Sequence, residues 1–223
     1  MSLRAGVLRA LGTVFDPELD EPITALGFVG RCTVGEEGDV HVLLRLPTPQ
    51  CAPNFAFLMA ADARDAVCRV PGVRNVRVEL TDHYTGREIN TAVARGEGFS
   101  EAFPGETRGQ LDALRELFRR KALVARQGRL LTSVLEPSRA RLGELSGPDA
   151  VRCRALRLEL GIDASDDAPA FVRGDGTPVG PDELVRFRRT ASLTALSLET
   201  NGGMCRDLLR VRYEDHDREE VAV

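Results

Sequence analysis

Apolar residues follow two rhythms along the first eighty positions. Leu3, Val7, Leu8, Leu11, Val14 and Phe15 recur every three or four residues, which predicts a helix running up to Asp16-Pro17-Glu18, where proline removes a donor and constrains its predecessor. Phe28, Gly30, Cys32 and Val34 then alternate with Val29, Arg31 and Thr33, and the turn-forming stretch 35–39 leads into Val40, Val42, Leu44 and Leu46. This pattern predicts an antiparallel hairpin. Phe55, Leu58, Met59, Ala63, Ala66, Val67 and Val70 make one helical face that ends at Pro71-Gly72, after which Val76, Val78 and Leu80 alternate as a strand. The predicted order is α-β-β-α-β. A strand, a helix and a strand in one sheet form a crossover, so the strands ending near Leu46 and Leu80 are expected to run parallel, with their carboxyl ends at one edge.

Past this module the pattern changes. Residues 95–106 carry Gly96, Gly98, Pro104 and Gly105 and predict a linker between a module at 1–94 and an extension at 107–223. Leu111, Leu114, Leu117, Phe118 and Val124 predict one helix there, and Val151, Ala155, Leu156, Leu158 and Leu160 another. Asp175-Gly176 predicts a tight turn, Pro181-Asp182-Glu183 a helix start, and Asn201-Gly202-Gly203 the break before a last helix. The fold class is therefore α+β: a small mixed three-stranded module followed by a mostly helical extension, the latter expected to recognise a client or to dimerise.

Charge narrows the function. Thirty Lys and Arg against 34 Asp and Glu give a net charge of -4, so no nucleic-acid partner is expected. No apolar run is long enough to cross a membrane, and Arg4 and Arg9 interrupt the first apolar residues, which predicts an amphipathic helix and a cytoplasmic setting. Five cysteines at 32, 51, 68, 153 and 205 include no CxxC pair, so neither a disulfide framework nor a self-contained zinc site is indicated.

The cysteine with the most telling surroundings is Cys51, in Leu46-Pro47-Thr48-Pro49-Gln50-Cys51-Ala52-Pro53-Asn54. Between a strand and a helix it would lie beside unpaired helix-terminal N–H groups, an environment that favours a thiolate. The crossover brings Asp82-His83-Tyr84 to the same sheet edge. His83 then serves as a cation beside the thiol, as a base, or with Cys51 as a metal ligand; the bland alternative is a surface histidine. Cys205, placed by the glycines near a helix start with Arg206 beside it, is the first choice for a second sulfur ligand, against the alternative of a half-buried packing residue. Cys32 and Cys153 read as structural and Cys68 as peripheral.

Asp16-Pro17-Glu18, Leu26-Gly27-Phe28-Val29, Thr48 three residues before Cys51, and Pro71-Gly72-Val73 before Val76-Arg77-Val78-Glu79 together resemble the SufT- and PaaD-like iron–sulfur assembly factors over residues 1–90. The resemblance implies a module that helps mature iron or iron–sulfur proteins, with Cys51 as its functional residue and Thr48, Asp16 and Glu18 beside it at the cofactor. The metal ligands expected are Cys51, His83 and Cys205, and the cofactor iron or a transient iron–sulfur cluster. Relatives place proline directly after this cysteine, where this chain has Ala52, and they carry tryptophan after the last strand, where this chain has none.

One cysteine supplies one ligand where a cluster takes about four. The others would come from a second copy in a homodimer, the extension, a client protein or a small thiol. A multicomponent iron-dependent monooxygenase is the client that the resemblance suggests. Two alternatives stay open: an enzyme with Cys51 as nucleophile, His83 as base and Asp82 or Asp16 as orienter, and a protein-binding adaptor with no metal chemistry.

Overall fold

The computed structural model describes residues 2–105 and 108–220. The chain divides into two compact units, one of residues 1–112 with 201–223 and the other of residues 113–200.

In the first unit, helix α1 (Leu3–Leu11) starts at Ser2, whose hydroxyl accepts from the Ala5 N–H, and ends at Gly12. It stops short of the turn at Asp16 that the apolar spacing predicts, because Phe15–Asp16 (β1) leaves the helix to pair antiparallel with Glu21–Pro22 (β2). Asp16 closes the tight turn between them, its Oδ1 accepting from the N–H groups of Glu18 at 2.8 Å and Leu19 at 2.9 Å.

The main sheet has the order β3-β4-β5. β3 (Val29–Val34) and β4 (Asp39–Arg45) form the expected antiparallel hairpin, and β4 runs parallel to β5 (Asn75–Thr81), with Asp39 opposite Asn75 and Arg45 opposite Thr81. The crossover between them is α2 (Pro53–Cys68). Val40, Val42, Leu44, Val78 and Leu80 join Val7 and Leu11 of α1 and Ala56, Met59, Ala63 and Val67 of α2 in one core.

Two helices follow β5 that the apolar pattern does not predict, the second of them inside the expected linker 95–106. α3 (Gly86–Arg95) adds Ile89, Ala92 and Val93 to the core and ends at Gly96 in the left-handed conformation; the four-residue α4 (Phe99–Ala102) follows. Asn90 of α3 brackets the outer edge of β5, accepting from the Leu80 N–H at 2.8 Å and donating to the Leu80 carbonyl at 3.0 Å.

The second unit is helical. α5 (Arg108–Leu130) and α6 (Pro148–Glu159) enclose Leu123, Leu131, Cys153, Leu156, Phe171 and Val172. Gln127 acts as a strand partner to Val172, donating to its carbonyl at 3.0 Å and accepting from its N–H at 2.6 Å. Leu117, Val151 and Leu158, expected in apolar stripes, are exposed. The break expected at Asn201-Gly202-Gly203 is absent: α7 (Leu184–Glu220) passes through it. Gly202 is buried against Glu21, whose carboxylate occupies the space a Cβ would need. The glycine there serves close packing and not a turn.

Candidate functional site

The carboxyl ends of β4 and β5 meet as the crossover requires, and the loops that leave them are joined backbone to backbone by a bond from the Tyr84 N–H to the Pro49 carbonyl at 3.1 Å. Cys51 stands one residue before the N-cap of α2, with Pro53 in the first turn, where the missing N–H costs nothing. It is half-buried, and the Thr48 hydroxyl lies 3.5 Å from its sulfur.

After β5 the chain turns at Asp82, whose φ of 54° is rare outside glycine. That turn directs His83 back to the cysteine loop. Its Nε2 meets the Cys51 carbonyl oxygen at 2.7 Å, while Nδ1 accepts from the Thr85 N–H at 3.2 Å and lies 3.1 Å from the Thr85 hydroxyl. The carbonyl can only accept, so Nε2 carries the proton, and an accepting Nδ1 makes the ring neutral. Burial, with Arg212 adding to it, holds His83 below the ordinary imidazole pKa against the opposing bond to Cys51. His83 is thus a neutral brace on the backbone of Cys51, and it meets the residue at its carbonyl, not its sulfur.

Cys205 lies in the interior of α7 and not at a helix start. It is half-buried and, like Cys51, packs against the core of the first unit. Burial, with Asp16, Cys51 and Glu18 within electrostatic range, pushes its thiol up to about 11. Asp16 is buried, and desolvation raises its carboxyl to about 6 despite the two backbone N–H groups that it accepts. Glu18 is exposed at the rim.

The remaining parts of this corner have no local signal in the sequence. Arg212 donates to the Leu46 carbonyl at 3.0 Å and the Asp82 carbonyl at 2.6 Å, one on each side of the site. The Tyr213 hydroxyl donates to Asp82 at 3.2 Å, and Arg45 lies over its ring. Arg206 pairs with Glu21 at 2.5 Å. These residues sit 120 or more positions from their partners, so no local rule connects them. Among the described residues, no three of His, Cys, Asp or Glu stand close enough to hold a metal ion.

Residues 4–80 match the family profile of the iron–sulfur cluster assembly proteins. An iron–sulfur cluster carrier protein of Mycobacterium tuberculosis is 44% identical over 78 residues, which are 35% of this chain and 20% of the relative. A maturation auxiliary factor for Fe–S proteins from Porphyromonas gingivalis is 37% identical over 75 residues, 34% of this chain and 70% of the relative. An uncharacterized protein of Methanocaldococcus jannaschii is 33% identical over 97 residues, 44% of this chain and all of the relative. The chain spans about a fifth of the length of the carrier proteins it matches.

Proposed function

From the premise that this chain belongs to the iron–sulfur cluster assembly protein family, we propose that it is a maturation factor that takes iron or an iron–sulfur cluster as cargo on Cys51 and passes it to a client protein. The observation that carries this reading is the setting of Cys51: a half-buried thiol ahead of a helix N-terminus, on a loop fixed by His83. Thiolates suit iron and its clusters, and the loop is pinned without using the sulfur.

The donor set fits cargo held briefly. With fewer than three protein ligands gathered in one place among the described residues, a cluster would complete its coordination with sulfide and with thiolates of the receiving protein or of a second copy. Partial ligation leaves positions free for the client to enter. A component of an iron-dependent monooxygenase is the client class suggested by the resemblance of residues 1–90 to PaaD-like factors, and a cytoplasmic setting follows from thiol chemistry that needs a reducing compartment.

The arrangement gives less to a cysteine-nucleophile enzyme. A general base must reach the proton it abstracts, and the Nε2 of His83 is committed to the Cys51 carbonyl. The test is anaerobic loading of the full chain with iron and sulfide, followed by transfer to an apo-ferredoxin. Cys51→Ser is expected to abolish transfer with folding unchanged. Undiminished transfer by that variant overturns the reading.

A further inference from the structure

The two loops of the site leave adjacent parallel strands, and one side chain of α7 holds both at their first residue. Leu46 follows the end of β4 and opens the cysteine loop; Asp82 follows the end of β5 and opens the turn to His83. Arg212 donates through Nη1 to the Leu46 carbonyl at 3.0 Å and through Nη2 to the Asp82 carbonyl at 2.6 Å, so the two arms of one planar guanidinium span both exits. Tyr213 adds a second hold on Asp82. Its hydroxyl donates to the carboxylate at 3.2 Å, and its ring lies under the guanidinium of Arg45, the last residue of β4.

Asp82 is the residue that most needs such support. Its φ of 54° is a conformation that a residue with a Cβ keeps only where its surroundings hold it there. This same turn aims His83 at the Cys51 carbonyl, 2.7 Å away. Contact therefore runs from Arg212 and Tyr213 through Asp82 to His83, and from His83 to the backbone of Cys51. On the other side it runs from Arg212 to Leu46, where the cysteine loop begins.

We propose that Arg212 is a positioning residue for Cys51: by tying Leu46 to Asp82 it fixes the cysteine loop against His83 and so sets where the thiol stands when cargo is taken up. Its bonds are to backbone carbonyls, so the role is one of geometry, and it is supplied by the extension and not by the amino-terminal module. This inference rests on the cargo reading of Cys51 and adds to it the part that holds the loop in place.

The test applies the anaerobic transfer assay to the full chain carrying Arg212→Ala or Arg212→Lys, the second of which keeps the charge and gives up the fork. Both are expected to slow transfer about tenfold or more, as the loss of a residue that supports a ligand does. Tyr213→Phe, which removes one hydroxyl, is expected to slow it about threefold. Arg210→Ala, whose exposed pair with Asp207 lies on the same helix, is expected to leave it unchanged. The readout that separates positioning from folding is the nitrogen NMR spectrum of the His83 ring at neutral pH. The parent is expected to show one Nε2–H tautomer, fixed by the Cys51 carbonyl, and both Arg212 variants a mixture of tautomers, with helix content by circular dichroism unchanged. Transfer lost in Arg212→Ala and restored in Arg212→Lys assigns the effect to charge and overturns the inference. A parental ring spectrum in both variants, or parental transfer in both, overturns it as well. Cys51→Ser tells the two readings apart. Transfer lost in that variant but parental in the Arg212 variants removes this inference alone; transfer undiminished in Cys51→Ser removes the cargo reading and this inference with it.

Discussion

Asp16 shows how one buried carboxyl can do two jobs at odds with each other. It must accept the N–H groups of Glu18 and Leu19 to close its turn, and it sits where charge is poorly solvated. Burial raises its folded pKa to about 6 from 3.8, so the native state binds the proton more tightly than the unfolded chain. The stability this supplies is full below pH 3.8 and is lost as the pH rises through 6, a change of about 3 kcal/mol at 1.36 kcal/mol per unit. Asp16→Asn keeps the accepting oxygen and discards the charge. Chemical denaturation is expected to find the variant more stable than the parent at pH 7 by about 2–3 kcal/mol and the two nearly equal at pH 4; parallel stability curves across that range contradict the account. His83 makes the complementary choice, staying neutral so that one nitrogen can donate to Cys51 and the other accept from Thr85.

At the scale of elements, the hairpin and the crossover set the geometry on which the site depends, and both rest on tight turns. Gly38, with φ of 87°, ends the β3–β4 turn directly against the Gly72 carbonyl, and the Arg74 N–H donates to the Gly38 carbonyl at 2.9 Å. A methyl group at residue 38 has no room and would be strained in that conformation. Gly38→Ala is expected to cost about 2 kcal/mol or more by thermal or urea unfolding, whereas Gly35→Ala, whose Cβ would meet Asp39 at an ordinary 3.6 Å, is expected to cost under about 1 kcal/mol. The strands and their pairing were legible because alternation and the right-handed crossover are local or nearly local rules, and they brought His83 to Cys51 correctly. The elements that escaped did so for physical reasons. α1 ends early, at Gly12, and Phe15 and Asp16 instead pair with Pro22 and Glu21, a partner that helical spacing alone does not show. α3 does carry a readable signal, Ile89, Ala92 and Val93 between Gly86 and Gly96, too short a stripe to stand out beside the strands before it. α7 runs through its two glycines because Gly202 is needed for close approach to Glu21, a contact across 181 positions that local propensity does not contain.

Among the described residues, the two largest sets of buried apolar residues are separate, and the second is organised around buried polar side chains. Arg157 is fully buried and donates to the carbonyls of Asp163 at 3.2 Å, Pro169 at 2.9 Å and Ala170 at 2.7 Å. Arg157→Met keeps the bulk and leaves those three carbonyls without that donor, so a loss of about 3 kcal/mol or more is expected. Hydrogen exchange is expected to quicken across residues 150–172 and to leave β4 and β5 near their parental protection; as a control, Arg139→Ala removes an exposed pair with Glu136 and is expected to cost under about 0.5 kcal/mol. Protection lost equally in β4 and β5 contradicts a separate role for the second core. The glycine pair in α7 bears on the same question of what yields first. Each glycine in a helix interior gives up about 1 kcal/mol relative to alanine, so the turn immediately ahead of Cys205 depends on its packing against Glu21 more than on helix propensity. Beyond it, about three turns hold Leu46 and Asp82 through Arg212 and Tyr213. Both loops of the site are thus held from the far side of that glycine pair, so a change in the helix at residues 202 and 203 is transmitted to Leu46 and Asp82.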